Sequence, residues 1–234
     1  MKPEVARVLL TGATGGIGAA IARALVAQGA AVLLVARSAD RLGRLAQDLG
    51  GDDERVAWLA VDLTRAHDLA GLTDVARDWG VNVLVNNAGL ASFGAFDDQP
   101  AEHLQQLLHT NLLAPMLLTQ ALLPSLRAQP HAQVIQVGSV LGRLGLPGFA
   151  AYSATKFGLR GFSEALRREL AGSSVRVQYL GPRSTRTPFN DARVEAYNRA
   201  TGTAMDTPER VADALLALLR SGAAERFLGF PESL

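Results

Sequence analysis

The stretch VLLTGATGGIGAAIARAL, residues 8–25, decides the fold of this chain. An apolar run is followed by a turn containing Gly12, Gly16 and Gly18, and then by a helix-forming segment. Glycines at these positions allow a tight turn, a close approach of the main chain to a pyrophosphate and close packing of helix on strand. The stretch therefore predicts a first strand, a phosphate-binding turn and a first helix. No Lys-Ser or Lys-Thr pair follows, which excludes the P-loop of nucleoside triphosphatases.

Beyond this stretch, short apolar runs alternate with helical patterns along the chain. The apolar runs predict strands near residues 5–10, 30–36, 55–61, 81–85, 132–138 and 175–180, with a seventh at 225–231. The helical patterns cover residues 16–28, 39–49, 66–79, 100–127, 152–171 and 206–220. Nearly continuous apolar strands are typical of a parallel sheet buried on both faces, joined by right-handed crossovers. We therefore predict an α/β, doubly wound Rossmann fold of about seven parallel strands with helices on both faces, as a single domain over residues 1–234.

Residues 182–205 form the one long stretch without a clear helical or strand pattern. The stretch is rich in Thr, Arg, Asn and Pro, and it follows the carboxyl end of a predicted strand, where ligands bind in doubly wound sheets. Long irregular loops in compact domains are commonly lids or binding loops. We therefore expect a substrate loop at 182–205.

The composition narrows the class of protein. The 234 residues include 23 Lys+Arg and 22 Asp+Glu, a formal charge of +1, which gives no electrostatic basis for nucleic-acid binding. The absence of cysteine excludes disulfides and thiolate metal sites, and it fits a cytoplasmic location. The N-terminus enters an apolar strand directly, so no signal peptide is expected, and no apolar run is long enough to predict a transmembrane helix. No metal site is expected either, because no carboxylates stand at metal-ligand spacing from the four histidines, His67, His103, His109 and His131.

The residues after the second strand indicate which dinucleotide is bound. An acidic residue there would bind the ribose 2′-hydroxyl of NAD, whereas an arginine accommodates the 2′-phosphate of NADP. This chain has Ala36 followed by Arg37. Ser38 and Asp40 suit the start of the next helix instead. We therefore predict NADP(H), with Arg37 as the phosphate ligand and Arg41 as a second contact.

The segment AAYSATKFGLRG, residues 150–161, places Tyr152 and Lys156 one helical turn apart among small residues. A lysine charge beside a phenol favours the phenolate, so we expect it to lower the pKa of Tyr152. Such a tyrosine can donate or accept a proton in catalysis. Taken alone, the pair is also typical of an ordinary helix surface, so the other motifs decide between the two interpretations.

Together these motifs resemble the short-chain dehydrogenase/reductase family over nearly the whole chain. TGATGGIG, residues 11–18, resembles the family's TGxxxGxG motif, and the YxxxK motif is present. NNAG, residues 86–89, follows the fourth strand, as it does in the family. The family's catalytic tetrad is matched in order and spacing by Asn111, Ser139, Tyr152 and Lys156.

The resemblance implies a role for each of these residues. Tyr152 would exchange a proton with the substrate oxygen, and Ser139 would hydrogen-bond that oxygen. Lys156 would hold the nicotinamide ribose, and Asn111 would hold a water that links it to Lys156 as a proton relay. The implied cofactor contacts are Gly12, Thr14, Gly15, Gly16, Ile17, Gly18, Arg37, Asp62, Leu63, Asn86, Ala88, Gly89, Tyr152, Lys156, Pro182, Thr185 and Thr187.

The sequence supports the role of Asn111 independently. In an α-helix the N–H of residue 115 would bond the carbonyl of residue 111, but Pro115 has no N–H. We expect the Asn111 carbonyl to be left free, so that it can hold a water. An ordinary proline kink is the alternative.

Arg183 departs from the family pattern, because the family usually has Pro-Gly where this chain has Pro182-Arg183. Two interpretations are open. Arg183 points to solvent or pairs with a carboxylate of the following loop, such as Asp191 or Glu195, or it turns into the site and meets an anionic group of the cofactor or substrate.

The family implies an NADP(H)-dependent oxidoreductase that interconverts a ketone or aldehyde and an alcohol by hydride transfer. A 3-oxoacyl compound or another lipid-like ketone is the expected substrate class. An NAD-linked alcohol dehydrogenase and a non-catalytic NADP-binding sensor remain alternatives. The family also implies a homodimer or homotetramer through helices 100–127 and 152–171, whose apolar faces could equally be intrachain core.

Overall fold

The computed structural model describes residues 1–51 and 54–229. Seven parallel strands form one sheet in the order β3-β2-β1-β4-β5-β6-β7. The strands are β1 Arg7–Thr11, β2 Ala31–Ala36, β3 Val56–Ala60, β4 Val83–Asn86, β5 Ala132–Val137, β6 Val175–Gly181 and β7 Glu225–Phe227. The helices are α1 Gly16–Ala27, α2 Ala39–Asp48, α3 Ala66–Asp78, α4 Ala101–Leu108, α5 Ala114–Arg127, α6 Ala150–Glu169, α7 Ala192–Thr201 and α8 Pro208–Ser221. The predicted doubly wound fold is confirmed, and the part of the seventh predicted strand beyond residue 229 lies outside the described residues.

The sheet is covered on both faces, which explains its apolar strands. Helices α1, α2 and α8 pack on one face with side chains such as Ile21, Leu42 and Leu215. Helices α3, α5 and α6 cover the other face with side chains such as Leu72 and Leu122. Among the described residues, no helix is both long enough and apolar enough to cross a membrane.

The order of the strands reverses at β1, which pairs with β2 on one side and with β4 on the other. Doubly wound sheets bind ligands at the carboxyl ends of the strands beside such a reversal. The hydroxyl of Thr11, at the end of β1, accepts the main-chain N–H groups of Asn87 and Ala88 at 2.9 and 3.0 Å. The Asn87 amide nitrogen donates to the carbonyls of Thr11 and Gly12 at 3.0 and 3.2 Å. These bonds fix the ends of β1 and β4 together at the reversal.

The predicted helix 100–127 is divided in the structure by a π-helical turn, His109–Leu113, between α4 and α5. The N–H of Ala114 bonds the carbonyl of His109, five residues back. Pro115 explains the wider turn, because it cannot donate the hydrogen bond that an α-helix would require from that position. The turn contains Asn111, whose side chain is fully buried.

The segment 182–205 is less irregular than its sequence suggests, because residues 192–201 form helix α7. The carboxylate of Asp191 caps this helix by accepting the N–H groups of Arg193 and Val194. Gly202 ends the helix in the left-handed conformation, with φ 65°. The prediction of an unstructured stretch was therefore wrong for these residues, although both helix-end signals are present in the sequence.

Both ends of this segment meet at Asp206, whose side chain is only 1% exposed. Its two carboxylate oxygens accept Nε and Nη2 of Arg183 at 2.9 and 2.8 Å. Arg210 approaches the same carboxylate at 3.1 Å, and Thr185 forms a parallel bridge with Asp206. Arg183 thus pairs with a carboxylate, as one interpretation expected, but its partner is Asp206 and not Asp191 or Glu195. The Arg183 guanidinium therefore joins the two ends of segment 182–205, which we call its base.

We expect Asp206→Asn to lower the free energy of unfolding by about 2 kcal/mol, the order of a charge-assisted hydrogen bond. The loss is smaller than for a fully buried pair because the Arg183 and Arg210 side chains are 25% and 59% exposed and can recover hydration. Urea unfolding at neutral pH measures it. Asp213→Asn is the matched control, because it changes the same charge at an exposed position of α8. Equal losses in the two variants would contradict the role of Asp206.

Candidate functional site

The glycine turn between β1 and α1 is built for close main-chain contacts. Gly12 has φ +64°, and a Cβ atom there would lie 2.8 Å from the Cα of Ala88. A Cβ atom on Gly18 would overlap the carbonyl oxygen of Gly12. A side chain at either position would therefore push the turn away from α1 or from the β4 loop.

Helix α1 begins at Gly16, and its N-cap residue, Gly15, has no side chain to satisfy the first N–H groups. Free N–H groups and the helix dipole at such an end favour an anion. Thr187 lies over this end, since a Cβ atom on Gly16 would come 2.5 Å from the Thr187 methyl carbon. The turn, the uncapped helix end and the segment above it fit the pyrophosphate of a dinucleotide.

Two arginines follow β2: Arg37 comes directly after the strand, and Arg41 lies in the first turn of α2. Arg37 is exposed, and Arg41 donates from Nη2 to the carbonyl of Thr14 in the turn at 2.6 Å. Ser38 caps α2 by accepting the N–H of Arg41, and Asp40 lies in the first turn, as the sequence analysis expected. No acidic side chain occupies the end of β2 itself, where Ala36 and Arg37 stand.

Asp62 and Leu63 follow β3, next to this edge of the sheet. The hydroxyl and N–H of Thr64 hold the pKa of the Asp62 carboxyl below its ordinary value, and the nearby charges of Arg65 and Arg37 add to this effect. Leu63 is partly buried against the core. Asp62 therefore remains ionised and lies within electrostatic reach of Arg37.

The NNAG segment links the glycine turn to the tetrad. Asn86 is buried, and its amide donates to the Thr119 hydroxyl in α5 at 3.2 Å, so its side chain is held against α5. Ala88 contacts the glycine turn through its N–H bond to Thr11. A Cβ atom on Gly89 would lie 3.3 Å from Oδ1 of Asn111 and 3.8 Å from Nζ of Lys156. Because Gly89 has no side chain, the NNAG segment can lie directly against the polar ends of Asn111 and Lys156.

Asn111 holds three elements together. Its Oδ1 accepts the N–H of Leu90 at 2.7 Å, and its Nδ2 donates to the Leu90 carbonyl at 2.9 Å and to the Thr155 hydroxyl at 3.3 Å. Thr155 in turn donates to the carbonyl of Tyr152 at 2.7 Å. The side chain of Asn111 thus connects the loop after β4 with the first turns of α6.

The other three tetrad residues meet where β5 ends and α6 begins. The Ser139 side chain lies next to the Tyr152 phenol and, as a hydrogen-bonding neighbour, acts to lower the pKa of that phenol. The Ser139 hydroxyl also accepts the N–H of Leu141 at 3.1 Å. Lys156 is 4% exposed, donates to the Val137 carbonyl at 3.3 Å, and lies 5.6 Å from the centre of the Tyr152 ring. The structure therefore brings the predicted tetrad together.

The protonation of the pair differs from the sequence-based expectation. Burial raises the pKa of the Tyr152 phenol well above its ordinary value, and the hydrogen bond from Ser139 opposes that shift only in part. Burial likewise lowers the pKa of Lys156 to about 8. The expected depression of the Tyr152 pKa by Lys156 is therefore wrong for this structure, because withdrawal from water disfavours the charged form of both groups.

Two residues that hold the tetrad in place, Thr155 and Tyr179, were not predicted from the sequence. Thr155 connects Asn111 to Tyr152, but it stands between the motif positions Tyr152 and Lys156, where nothing in the pattern marks it. Tyr179 on β6 bonds the main chain of Ser139. The nearby glycines Gly138 and Gly142 were the available signal for a bulky neighbour, but the sequence does not say which residue that neighbour is.

A cleft of about 420 Å³ lies between the loop after β4 and the segment after Thr187, one aromatic ring away from Tyr152. Phe189, from the segment after Thr187, lines the cleft and stacks edge-on against Tyr152 with ring centres 6.2 Å apart. The remaining walls combine aromatic and polar side chains, among them Phe93, Ser92 and Arg193. The volume suits a small-molecule ligand.

Of the predicted residues that follow β6, Thr187 contacts the glycine turn, whereas Pro182 and Thr185 are held by other parts of the chain. Pro182 and Thr185 are buried, and the Thr185 hydroxyl donates to the Arg183 carbonyl at 2.9 Å. Thr187 faces Gly16, as described above. Segment 182–205 therefore extends from the end of β6 across the start of α1 to the cleft beside Tyr152. Within the described residues, no group of histidine and acidic side chains could hold a metal ion.

Comparison with known proteins agrees with this geometry. Residues 6–198 match the short chain dehydrogenase family. The chain is 33% identical over 222 residues to the ketoacyl reductase HetN of Nostoc sp. (strain PCC 7120), covering 93% of this chain and 76% of that protein. It is 34% identical over 215 residues to the human 3-oxoacyl-[acyl-carrier-protein] reductase, covering 90% and 89%.

Solved structures give the same result. A short-chain dehydrogenase from Sphingobium yanoikuyae, in complex with NADPH, superposes with a TM-score of 0.85 at 32% identity, covering 98% of this chain and 89% of that one. The fold, the glycine turn, the assembled tetrad and these relatives agree, and the chain belongs to the short-chain dehydrogenase/reductase family of oxidoreductases.

Proposed function

We propose that this protein is an NADP(H)-dependent reductase of a ketone or aldehyde, acting reversibly on the corresponding alcohol. The observation that carries the proposal is the convergence of three side chains: the Tyr152 phenol, the Ser139 hydroxyl that acts on its pKa as a hydrogen-bonding neighbour, and Lys156, whose Nζ lies 5.6 Å from the centre of the Tyr152 ring. Two neighbouring hydroxyl groups can both reach one oxygen atom placed between them. That oxygen is the substrate carbonyl, and it lies at the cleft lined by Phe189.

The chain's own residues supply the proton chemistry. When bound, the nicotinamide supplies the hydride to the carbonyl carbon. Tyr152 gives its phenolic proton to the carbonyl oxygen, and Ser139 donates a hydrogen bond that stabilises the negative charge developing there. The high pKa of Tyr152 keeps the phenol protonated before the reaction, as an acid requires. Lys156 stabilises the phenolate that remains, and it holds the nicotinamide ribose.

The other predicted cofactor contacts would hold the remaining parts of the dinucleotide. The turn Gly12–Gly18 would hold the pyrophosphate, with Thr14, Gly15 and Ile17 lining it, and Asp62 and Leu63 would approach the adenine. Thr185 and Thr187 would meet the nicotinamide amide and the phosphates. The π-helical turn supports a relay through the Asn111 carbonyl, because Pro115 cannot bond that carbonyl in the α-helical manner.

For the substrate class we propose 3-oxoacyl thioesters or other lipid-like ketones. The support is the activity named for two relatives, the Nostoc ketoacyl reductase and the human 3-oxoacyl-[acyl-carrier-protein] reductase. Turnover of a panel of 3-oxoacyl thioesters, simple ketones and aldehydes with NADPH tests it. Activity confined to short polar aldehydes would contradict this class.

We also propose that the outer surface of α4, α5 and α6 is a subunit interface. This surface carries four large apolar side chains that are 37–48% exposed: Leu108, Leu113, Leu117 and Phe157. Light scattering tests the proposal, because a mass of 24.7 kDa would identify a monomer and exclude it.

The first expectation concerns the cofactor. Arg37→Ala should lower kcat/KM with NADPH by roughly 10- to 150-fold, because the variant loses a charge-assisted phosphate contact of about 1.5–3 kcal/mol. The same ratio with NADH should change little, since NADH has no 2′-phosphate. Arg44→Ala is the control, because Arg44 is an exposed arginine in α2, the helix that follows Arg37. A wild type that uses NADH as well as NADPH would favour the NAD-linked alternative.

The second concerns the acid. Tyr152→Phe preserves the ring packing against Phe189 and removes the transferable proton, so ketone reduction should fall by at least roughly 100-fold. Steady-state kinetics measures the loss, and fluorescence titration with NADPH checks that cofactor binding survives. Near-normal turnover in this variant would show that another group donates the proton. A wild type that binds NADPH but reduces no carbonyl compound would favour the sensor alternative.

The third concerns the cost of keeping Lys156 charged. Its folded-state pKa of about 8 lies below the ordinary value of 10.5, so the native state loses its proton before the unfolded state does. The penalty is therefore complete below pH 8 and is relieved as the pH rises toward 10.5. Lys156→Met should raise the free energy of unfolding of the cofactor-free protein at pH 7 by about 3 kcal/mol.

The advantage of Lys156→Met should shrink steadily between pH 8 and pH 10, which urea unfolding at several pH values measures. Lys2→Met is the control, because Lys2 is the chain's other lysine and is exposed. A constant difference across this pH range would show that the effect of Lys156 is not electrostatic.

A further inference from the structure

Tyr179 is a fully buried tyrosine at the centre of the site's supporting layer. It lies on β6, where it is the register partner of Gln136 on β5, and its side chain faces α6. On its other side the ring lies 5.6 Å from the ring of Phe227 on β7. The mechanism proposed above does not use this residue.

The hydroxyl of Tyr179 bonds the main chain of two tetrad residues. It accepts the N–H of Ser139 at 3.0 Å and donates to the carbonyl of the same residue at 3.0 Å. The carbonyl of Lys156 in α6 is a second acceptor at 3.5 Å. Ser139 thus has both its main-chain polar groups held by one side chain, and that side chain also reaches the helix that carries Tyr152.

The surroundings of the hydroxyl are shaped to admit it. A Cβ atom on Gly138 would overlap the Tyr179 hydroxyl and the end of its ring, and a Cβ atom on Gly142 would overlap the hydroxyl. Both glycines lie outside the positive-φ region, so the backbone conformation does not require glycine at either position. The phenol therefore accounts for Gly138, and the phenol together with the Lys156 carbonyl, 2.8 Å from the same Cβ position, accounts for Gly142.

We propose that Tyr179 is a positioning residue, whose hydroxyl sets the separation between the end of β5 and helix α6 so that the Ser139 and Tyr152 hydroxyls converge on one substrate oxygen. The inference rests on the proposed function. A small displacement of either hydroxyl should reduce the rate of proton transfer much more than it reduces binding, because catalysis depends on the alignment of the reacting groups.

A purely packing role is the competing explanation. The ring of Tyr179 fills a large volume against Phe227, and that contact alone could account for its presence. Tyr179→Phe separates the two explanations, because it retains the ring and removes only the hydroxyl. Thr73→Val is the matched control, since Thr73 is a buried residue on α3 whose hydroxyl also bonds a main-chain carbonyl.

We expect Tyr179→Phe to lower kcat by about 10-fold or more while KM for NADPH and for the ketone changes less than about 2-fold. Rates are normalised to the concentration of NADPH-binding sites, so that partial unfolding does not count as lost activity. Thr73→Val should keep the wild-type kcat. An unchanged kcat in Tyr179→Phe, with the wild type active, would overturn the proposal.

Amide hydrogen exchange provides a readout that does not depend on turnover. The Ser139 N–H loses its acceptor in Tyr179→Phe, so its exchange should accelerate by about 10-fold or more, whereas Thr73→Val should leave it unchanged. Unchanged exchange of Ser139 would overturn the positioning role. If the wild type reduces no carbonyl compound, the proposed function fails, and this measurement decides the positioning role alone.

A second pair of variants tests whether Gly138 makes room for the Tyr179 hydroxyl. Gly138→Ala should displace the Tyr179 hydroxyl and lower kcat to about the level of Tyr179→Phe. In a Tyr179→Ala background the added methyl has room, so Gly138→Ala should then cost little further activity. Equal losses from Gly138→Ala in both backgrounds would show that Gly138 does not act through Tyr179.

Discussion

The joint between the ends of β1 and β4 is the constraint on which the rest of the site depends. One hydroxyl, that of Thr11, accepts two main-chain N–H groups from the NNAG segment, while the Asn87 side chain bonds back to the glycine turn. This joint lies where the strand order reverses, so it sets the position of the glycine turn relative to the loop after β4. Because Gly12 almost touches Ala88, a side chain at Gly12 would separate the two segments. The glycine turn and the approach to the tetrad are therefore positioned by one set of contacts.

The catalytic side of the site is held by buried polar groups on the neighbouring strands and helices. Asn111 fixes the loop after β4 to α6 through Leu90 and Thr155, and Tyr179 fixes the end of β5 to the same helix. Helix α6 is thus attached from two directions before any ligand binds. Under the proposed function, such preorganisation would let the hydroxyls of Ser139 and Tyr152 stabilise charge without first rearranging.

This arrangement has an energetic cost that the fold must offset. Burial disfavours the charged form of Lys156, so at neutral pH the site is less stable than a core of apolar side chains would be, whereas the Tyr152 phenol stays neutral and carries no such cost. Segment 182–205 crosses this region, and the pairing of Arg183 with Asp206 anchors its base. Under the proposed function, this loop is therefore tied down at its base, away from the reacting groups, and Phe189 at the cleft is placed to contact a substrate.

The sequence by itself determined the features that depend on neighbouring residues. They are the glycine turn, the alternating strands and helices, the arginine after β2 and the spacing of Tyr152 and Lys156. Pro115 likewise indicated an irregular helix at Asn111. Only the tertiary structure decided the features that depend on distant partners. Asp206 lies 23 residues from Arg183, and Tyr179 lies 40 residues from Ser139. The pKa of Tyr152 also depended on the fold, because a spacing of four residues brings a lysine near, whereas only packing determines how much water both groups lose.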